Sequence, residues 1–113
     1  MCRIFSEMPA EAYEQQTRSV RLGGHVTSIR LEASYWRILE EIAAQQDVSL
    51  GRFLSKLHDE VLEFRGGEPN FASLLRCACL TYVAEVRSAA DATEALKAQA
   101  REDFDTAPRV ARA

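Results

Sequence analysis

Two cysteines and a histidine, Cys77, Cys79 and His58, are the side chains of this sequence best suited to binding a metal ion. Structural zinc sites usually need four ligands and wider cysteine spacing. Residues i and i+2 of a helix also point to different faces. We therefore expect no metal site and no cofactor. The third cysteine is Cys2, and an odd count without an export signal predicts reduced thiols rather than a disulfide framework.

Catalytic chemistry has equally little support in the sequence. The acidic side chains Asp59, Glu60 and Glu63 fit a solvated helix face better than a catalytic carboxylate pair. No glycine-rich phosphate loop, HExxH motif or GxSxG motif is present. We therefore predict that the protein is not an enzyme.

The charge distribution is more informative than the net charge of −3, which alone does not indicate nucleic acid. Residues 18–31 carry Arg18, Arg21 and Arg30 and no acidic residue, so this segment is +3 while the remainder is −6. A basic segment on an acidic body indicates a local binding surface.

The secondary-structure elements that position the basic segment 18–31 should belong to one domain with tails. A chain of 113 residues with 47% hydrophobic residues predicts this organisation. No apolar run approaches the roughly 20 residues of a membrane span, and residues 1–9 contain no apolar stretch of signal-peptide length. The expected location is therefore the cytoplasm, with no membrane partner.

Alternation of apolar and polar residues predicts a strand from Val26 to Leu31, with Ile29 and Leu31 facing inward and Ser28 and Arg30 facing outward. The preceding Gly23-Gly24 pair could close a hairpin with residues 19–22. It could equally be a flexible lead-in, and the sequence leaves both possibilities open.

Three helices follow the strand. Apolar positions predict one from Ala33 or Ser34 to Gln46, and a second that begins after Ser49 as N-cap and ends before Gly66-Gly67. A third restarts at Pro69-Asn70 and continues to Val86. The aromatic side chains expected in the core are Trp36, Phe53, Phe64 and Phe71. Residues 105–113 are expected to form a frayed tail.

This order of elements resembles the ribbon-helix-helix superfamily of DNA-binding proteins, in particular a prokaryotic subfamily with a third helix. The residues that carry the resemblance are Thr-Ser-Ile-Arg-Leu-Glu-Ala-Ser-Tyr-Trp-Arg-Ile-Leu-Glu-Glu-Ile-Ala and then Val-Ser-Leu-Gly-Arg-Phe-Leu, within residues 18–86. With the polar, acidic residues 1–17 and the Ala-rich C-terminal residues, it divides the chain into an N-terminal arm (1–17), a ribbon-helix-helix domain with a third helix (18–90) and a helical or disordered tail (91–113).

The implied fold is mainly α, with one β-strand per chain paired in an intertwined homodimer. Physical reasoning favours the same arrangement, because a lone strand leaves its backbone groups unpaired. Residues 26–64 are also too few to form a stable core without help. A self-hairpin at Gly23-Gly24 would weaken this argument for a dimer.

In this superfamily the ribbon enters the major groove of DNA and its outward side chains read the bases. By position, the resemblance makes Val26, Ser28 and Arg30 the base-reading residues, and arginine can bind guanine O6 and N7. Val26 departs from the polar residue that is frequent there, although it could contact a thymine methyl group.

The resemblance also assigns phosphate binding to the start of the second helix, Ser49-Leu50-Gly51-Arg52, where backbone N–H groups lack helical partners. A cation at Arg52 is disfavoured near a helix N-terminus unless an anion binds there. Arg21 and His25 are further candidates for phosphate contact.

These residues together predict a homodimeric, sequence-specific binder of double-stranded DNA that acts as a transcriptional repressor. The alternative is an antitoxin or adaptor that binds a protein partner, such as a toxin, through its C-terminal region. A dimerisation module that has lost DNA binding is a third possibility, suggested by the acidic net charge and by Val26.

Overall fold

The fold is described by a computed structural model, which covers residues 3–105. Two strands and six helices follow one another in this order: α1 (Arg3–Ser6), α2 (Ala10–Tyr13), β1 (Gln15–Leu22), β2 (His25–Glu32), α3 (Ala33–Gln45), α4 (Leu50–Arg65), α5 (Phe71–Thr81) and α6 (Ala90–Ala100). The helices α5 and α6 each continue into a π-helical turn, Tyr82–Val86 and Arg101–Asp105.

The chain forms its own two-stranded antiparallel ribbon. Strand β1 pairs with β2 from Gln15 opposite Glu32 to Leu22 opposite His25. Gly23 and Gly24 close the hairpin with φ angles of 57° and 84°, as a two-residue turn with positive φ at both positions requires. The expectation of a mainly α fold with a β-ribbon ahead of the helices is confirmed, but the expectation of one strand per chain was wrong because these glycines let residues 15–22 turn back and pair with β2.

The inward face of the ribbon and the helices enclose one hydrophobic core. The predicted inward positions Ile29 and Leu31 are buried, and the predicted outward positions Ser28 and Arg30 are exposed. The largest fully buried side chains are Trp36, Leu31, Leu39, Leu54, Leu75 and Cys79.

Local capping signals place the helices largely where the sequence predicts them. The hydroxyl of Ser49 accepts a hydrogen bond from the Arg52 backbone N–H at 3.2 Å, which confirms the N-cap of α4. Helix α4 ends at Gly66 in the left-handed conformation, with φ 75°. Asn70 caps α5 through its side-chain oxygen, which accepts from the Ser73 N–H at 3.1 Å.

Two aromatic side chains do not follow the predicted pattern. Phe64, expected in the core, is 78% exposed because it lies in the last turn of α4. Phe104, in a stretch with little apolar character, is buried together with Ala100. Strand β1 begins at Gln15, within the range expected for the N-terminal arm. Of the expected frayed tail only Asp105 lies within the described residues, in the last π-helical turn.

Candidate nucleic-acid interface

The outward face of the ribbon is a two-column array of exposed side chains. The register sets Thr17 opposite Arg30, Ser19 opposite Ser28 and Arg21 opposite Val26. All six side chains are exposed. Successive residues of a strand point to opposite faces, so these six share the face that the core does not use. A two-stranded β-ribbon is one of the elements that the DNA major groove admits.

Arg30 is oriented on this face by a neighbour in the same chain. Its Nε donates to the Gln15 side-chain oxygen at 2.7 Å. Within residues 3–105 the two terminal Nη groups make no hydrogen bond. Arg30 therefore keeps the pair of donors that a bidentate contact to guanine needs.

Val26 is the apolar member of the array and is 65% exposed. It lies beside Arg21, whose Nη1 donates to the carbonyl oxygen of Gly24 at 3.2 Å. This hydrogen bond draws the Arg21 side chain toward the hairpin turn. His25 is exposed at the same turn. Arg21 and His25 thus lie on an ordered hairpin, and Arg21 belongs to the same surface as the predicted base-reading residues.

Arg18 serves the structure on the opposite face of the ribbon. Its guanidinium lies 4.8 Å from the Trp36 ring centroid and pairs with Glu40 at 3.4 Å. The Trp36 indole N–H in turn donates to the Gln16 carbonyl oxygen at 2.9 Å. These contacts hold β1 on α3, and they direct the positive charge of Arg18 away from the outer face.

The far end of the ribbon carries an acidic side chain that is held by a cation. Glu32 pairs with Arg76 of α5 at 3.1 Å and accepts a hydrogen bond from Gln15 at 3.3 Å. A backbone hydrogen bond and the Arg76 guanidinium lower the pKa of the Glu32 carboxyl. Glu32 therefore stays ionised, but its charge is largely balanced within the protein.

The four residues predicted to bind phosphate form the first turn of α4 as expected. Ser49 is used as the N-cap, Leu50 is half-buried against the core, and Gly51 is exposed. Arg52 is engaged, because its Nη2 donates to the Phe104 carbonyl oxygen at 3.2 Å. No hydrogen bond within residues 3–105 joins this turn to the outer face of the ribbon.

Helix α4, whose first turn is the predicted phosphate site, also packs on the ribbon. It packs on β1, and the edge of the His58 ring lies 3.7 Å from the position that a Cβ would take at Gly23. The hairpin turn is therefore fixed relative to α4.

Sequence reasoning missed the contribution of β1 to the outer face. Thr17, Ser19 and Arg21 alternate with Arg18, Val20 and Leu22, and this period of two was the available signal. It is obscured because the inward position of Arg18 is polar. Its placement there depends on the indole of Trp36, which is remote in sequence.

The remaining candidate groups do not converge on a site. Within residues 3–105, no three His, Cys, Asp or Glu side chains are arranged to hold a metal ion. Cys77 is exposed, whereas Cys79 is buried and its Sγ lies 3.6 Å from the Tyr35 carbonyl oxygen. Cys2 lies outside the described residues. None of the described helices is long and apolar enough to cross a membrane.

Comparison with known proteins agrees with this geometry. No curated protein matches the sequence. A solved structure of an uncharacterized protein from Bordetella pertussis Tohama I is 44% identical, with a TM-score of 0.75 over 88% of this chain and 85% of that chain. The family model described as "Ribbon-helix-helix domain" matches residues 15–83, which include both strands and the helices α3 to α5. The chain therefore belongs to the ribbon-helix-helix domain family.

Proposed function

We propose that this protein is a homodimeric, sequence-specific DNA-binding repressor whose β1–β2 ribbon enters the major groove. The ribbon-helix-helix domain is typical of non-enzymatic, DNA-binding regulators. The observation that carries the proposal is the outer ribbon face, where polar and cationic side chains of both strands stand exposed and in register.

Base reading is assigned to both strands of the ribbon. Arg30 supplies bidentate donors for guanine, and Ser19, Ser28 and Thr17 supply hydroxyl groups that can bond to several bases. Val26 supplies a methyl surface for thymine. Because β1 contributes half of this face, each chain carries a complete reading element and does not need a partner strand to build one.

Phosphate binding is assigned to Arg52 with the free N–H groups at the start of α4, and to Arg21 and His25 at the hairpin. Cationic side chains and helix N-termini are the groups that commonly bind DNA phosphates. These contacts position the ribbon in the groove, while the ribbon side chains determine the sequence.

The homodimer no longer depends on pairing a lone strand, since β2 pairs within the chain. Its support is the exposed apolar side chains of α4, of α5 and of the π-helical turn that follows α5. Leu62, Phe64, Leu80 and Val83 are all at least 40% exposed. Exposed apolar surface favours association. A two-fold dimer presents two ribbons, so we expect an operator with two-fold symmetry.

The antitoxin or adaptor function has less support. It would use the C-terminal region to hold a protein partner, but Ala100 and Phe104 are buried against their own chain. A partner could take this segment only after these contacts were broken.

The test begins with selection of a preferred site from a pool of random duplexes, followed by titration at several salt concentrations. Arg30→Ala should lose about 1–3 kcal/mol on the preferred duplex and much less on random duplex. Lys97→Ala removes one positive charge from α6 and is the matched control; it should change neither selectivity nor site preference. Absence of any DNA affinity at low salt, where electrostatic attraction is strongest, would contradict the proposal.

A further inference from the structure

The C-terminal π-helical segment, Arg101–Asp105, contacts the side chain of Arg52, which remains exposed. The Arg52 guanidinium donates through Nη2 to the Phe104 carbonyl oxygen at 3.2 Å and lies 5.1 Å from the centroid of the Phe104 ring. Phe104 itself is only 5% exposed. The segment is therefore docked on the first turns of α4 by both a polar and an aromatic contact.

The surface next to this contact carries both cationic and acidic side chains. A cleft of about 200 Å³ is lined by Arg52 and Lys56 of α4 and by Asp59 and Asp103. Gln99 donates to a carboxylate oxygen of Asp103 at 3.1 Å, which holds that side chain in place. A phosphate that approached Arg52 would meet the negative charge of Asp103 in the same cleft.

We propose that segment 101–105 is an autoinhibitory contact that competes with a DNA phosphate for Arg52. The inference rests on the proposed DNA-binding function and adds a mode of regulation to it. The Phe104 carbonyl oxygen accepts a bond that a phosphate oxygen would otherwise accept, and the Asp103 carboxylate repels the phosphate. Full engagement of the DNA backbone therefore requires this segment to move.

The position of the segment in the chain agrees with an added regulatory role. The ribbon-helix-helix match ends at residue 83, so helix α6 and the segment that contacts Arg52 lie beyond the matched residues. Asp103 lies next to α4, since it lines the same cleft as Arg52 and Lys56. Burial raises the pKa of the Glu60 carboxyl on that helix, and the Asp103 carboxylate raises it further.

The test compares two charge-removing substitutions in the full-length chain, Asp103→Asn in the cleft and Glu94→Gln on the exposed surface of α6. Asp103→Asn should tighten binding to random duplex about fivefold, the effect of relieving one repulsive charge at contact distance in water. Glu94→Gln should change the affinity less than about twofold, because salt screens a more distant exposed charge. Melting curves verify that both variants are folded.

The same substitutions in an Arg52→Ala background separate a local effect from a general one. If Asp103 acts through Arg52, the gain from Asp103→Asn should fall below about twofold in that background. Equal gains from Asp103→Asn and Glu94→Gln, or a gain that persists without Arg52, would overturn the inference.

The two levels of the proposal can fail separately. If wild type binds DNA and Asp103→Asn does not change the affinity, the autoinhibitory contact is overturned and the DNA-binding function stands. Absence of duplex affinity in every variant at low salt overturns both.

Discussion

Gly24 offers a sharp test of the in-chain hairpin. Its φ is 84°, and a Cβ added there would meet no heavy atom within 4 Å. Gly24→Ala therefore introduces backbone strain without a steric clash. A left-handed conformation costs a non-glycine residue about 1–2 kcal/mol, and the reduced freedom of the unfolded chain returns about 0.5 kcal/mol. The expected loss of stability is about 1 kcal/mol, or a melting temperature lower by about 4 °C.

Gly51 is the matched control, because a Cβ there also meets no heavy atom within 4 Å while the backbone is helical. Gly51→Ala should stabilise the protein by up to about 1 kcal/mol. The two substitutions add the same methyl group to open space, so their opposite signs would report the backbone conformation alone. Gly24→Asn should lose less than Gly24→Ala, since asparagine tolerates the left-handed region better.

Calorimetry or circular dichroism at one fixed protein concentration measures all three variants. If Gly24→Ala raised the melting temperature as Gly51→Ala does, the glycine pair would be a flexible link and the strands would not be closed within the chain.

Three further results are expected. Burial raises the pKa of the Cys79 thiol to about 11. Iodoacetamide should therefore modify the exposed Cys77 in the folded protein and Cys79 only on unfolding. Equal modification rates of the two cysteines by peptide mass spectrometry would contradict the burial of Cys79. The Arg87 guanidinium lowers the pKa of the Glu41 carboxyl in the folded protein. The ion pair therefore adds stability above the unfolded-state pKa of about 4.3. This stability is lost as the pH falls through the lower folded-state pKa. Glu41→Gln should therefore reduce the difference in urea stability between neutral and acidic pH, and an unchanged difference would refute the ion pair. A chain ending at Gly67 should melt at lower temperature, because it loses the buried side chains of α5; unchanged stability would mean that α5 is an independent arm.

Elements governed by local signals could be predicted from the sequence. Ser49 caps α4 through its own hydroxyl, and the alternation of Ile29 and Leu31 with polar residues determined the inward face of β2. Both depend on residues that are close in sequence, so period and capping chemistry were sufficient. The outward placement of Ser28 and Arg30 followed from the same alternation.

Features that depend on distant partners could not be predicted in this way. The pairing of residues 15–22 was obscured by Arg18, whose inward position makes sense only once Trp36 covers it. Phe104 is buried by packing on α4 that no local pattern reveals. Phe64 follows the apolar stripe of α4, but it lies where that helix extends past the core.

The central claim is that Arg30 on the ribbon reads a base in the major groove, and a chemical change in the DNA tests it most directly. Replacing the guanine at the Arg30-dependent position of the selected site by 7-deazaguanine removes the N7 acceptor and leaves the minor groove unchanged. Wild-type protein should lose about tenfold in affinity, or about 1.4 kcal/mol, while Arg30→Ala should lose almost nothing further. An equal loss for wild type and Arg30→Ala would show that Arg30 does not contact that base, and would contradict the proposed reading of DNA by the ribbon.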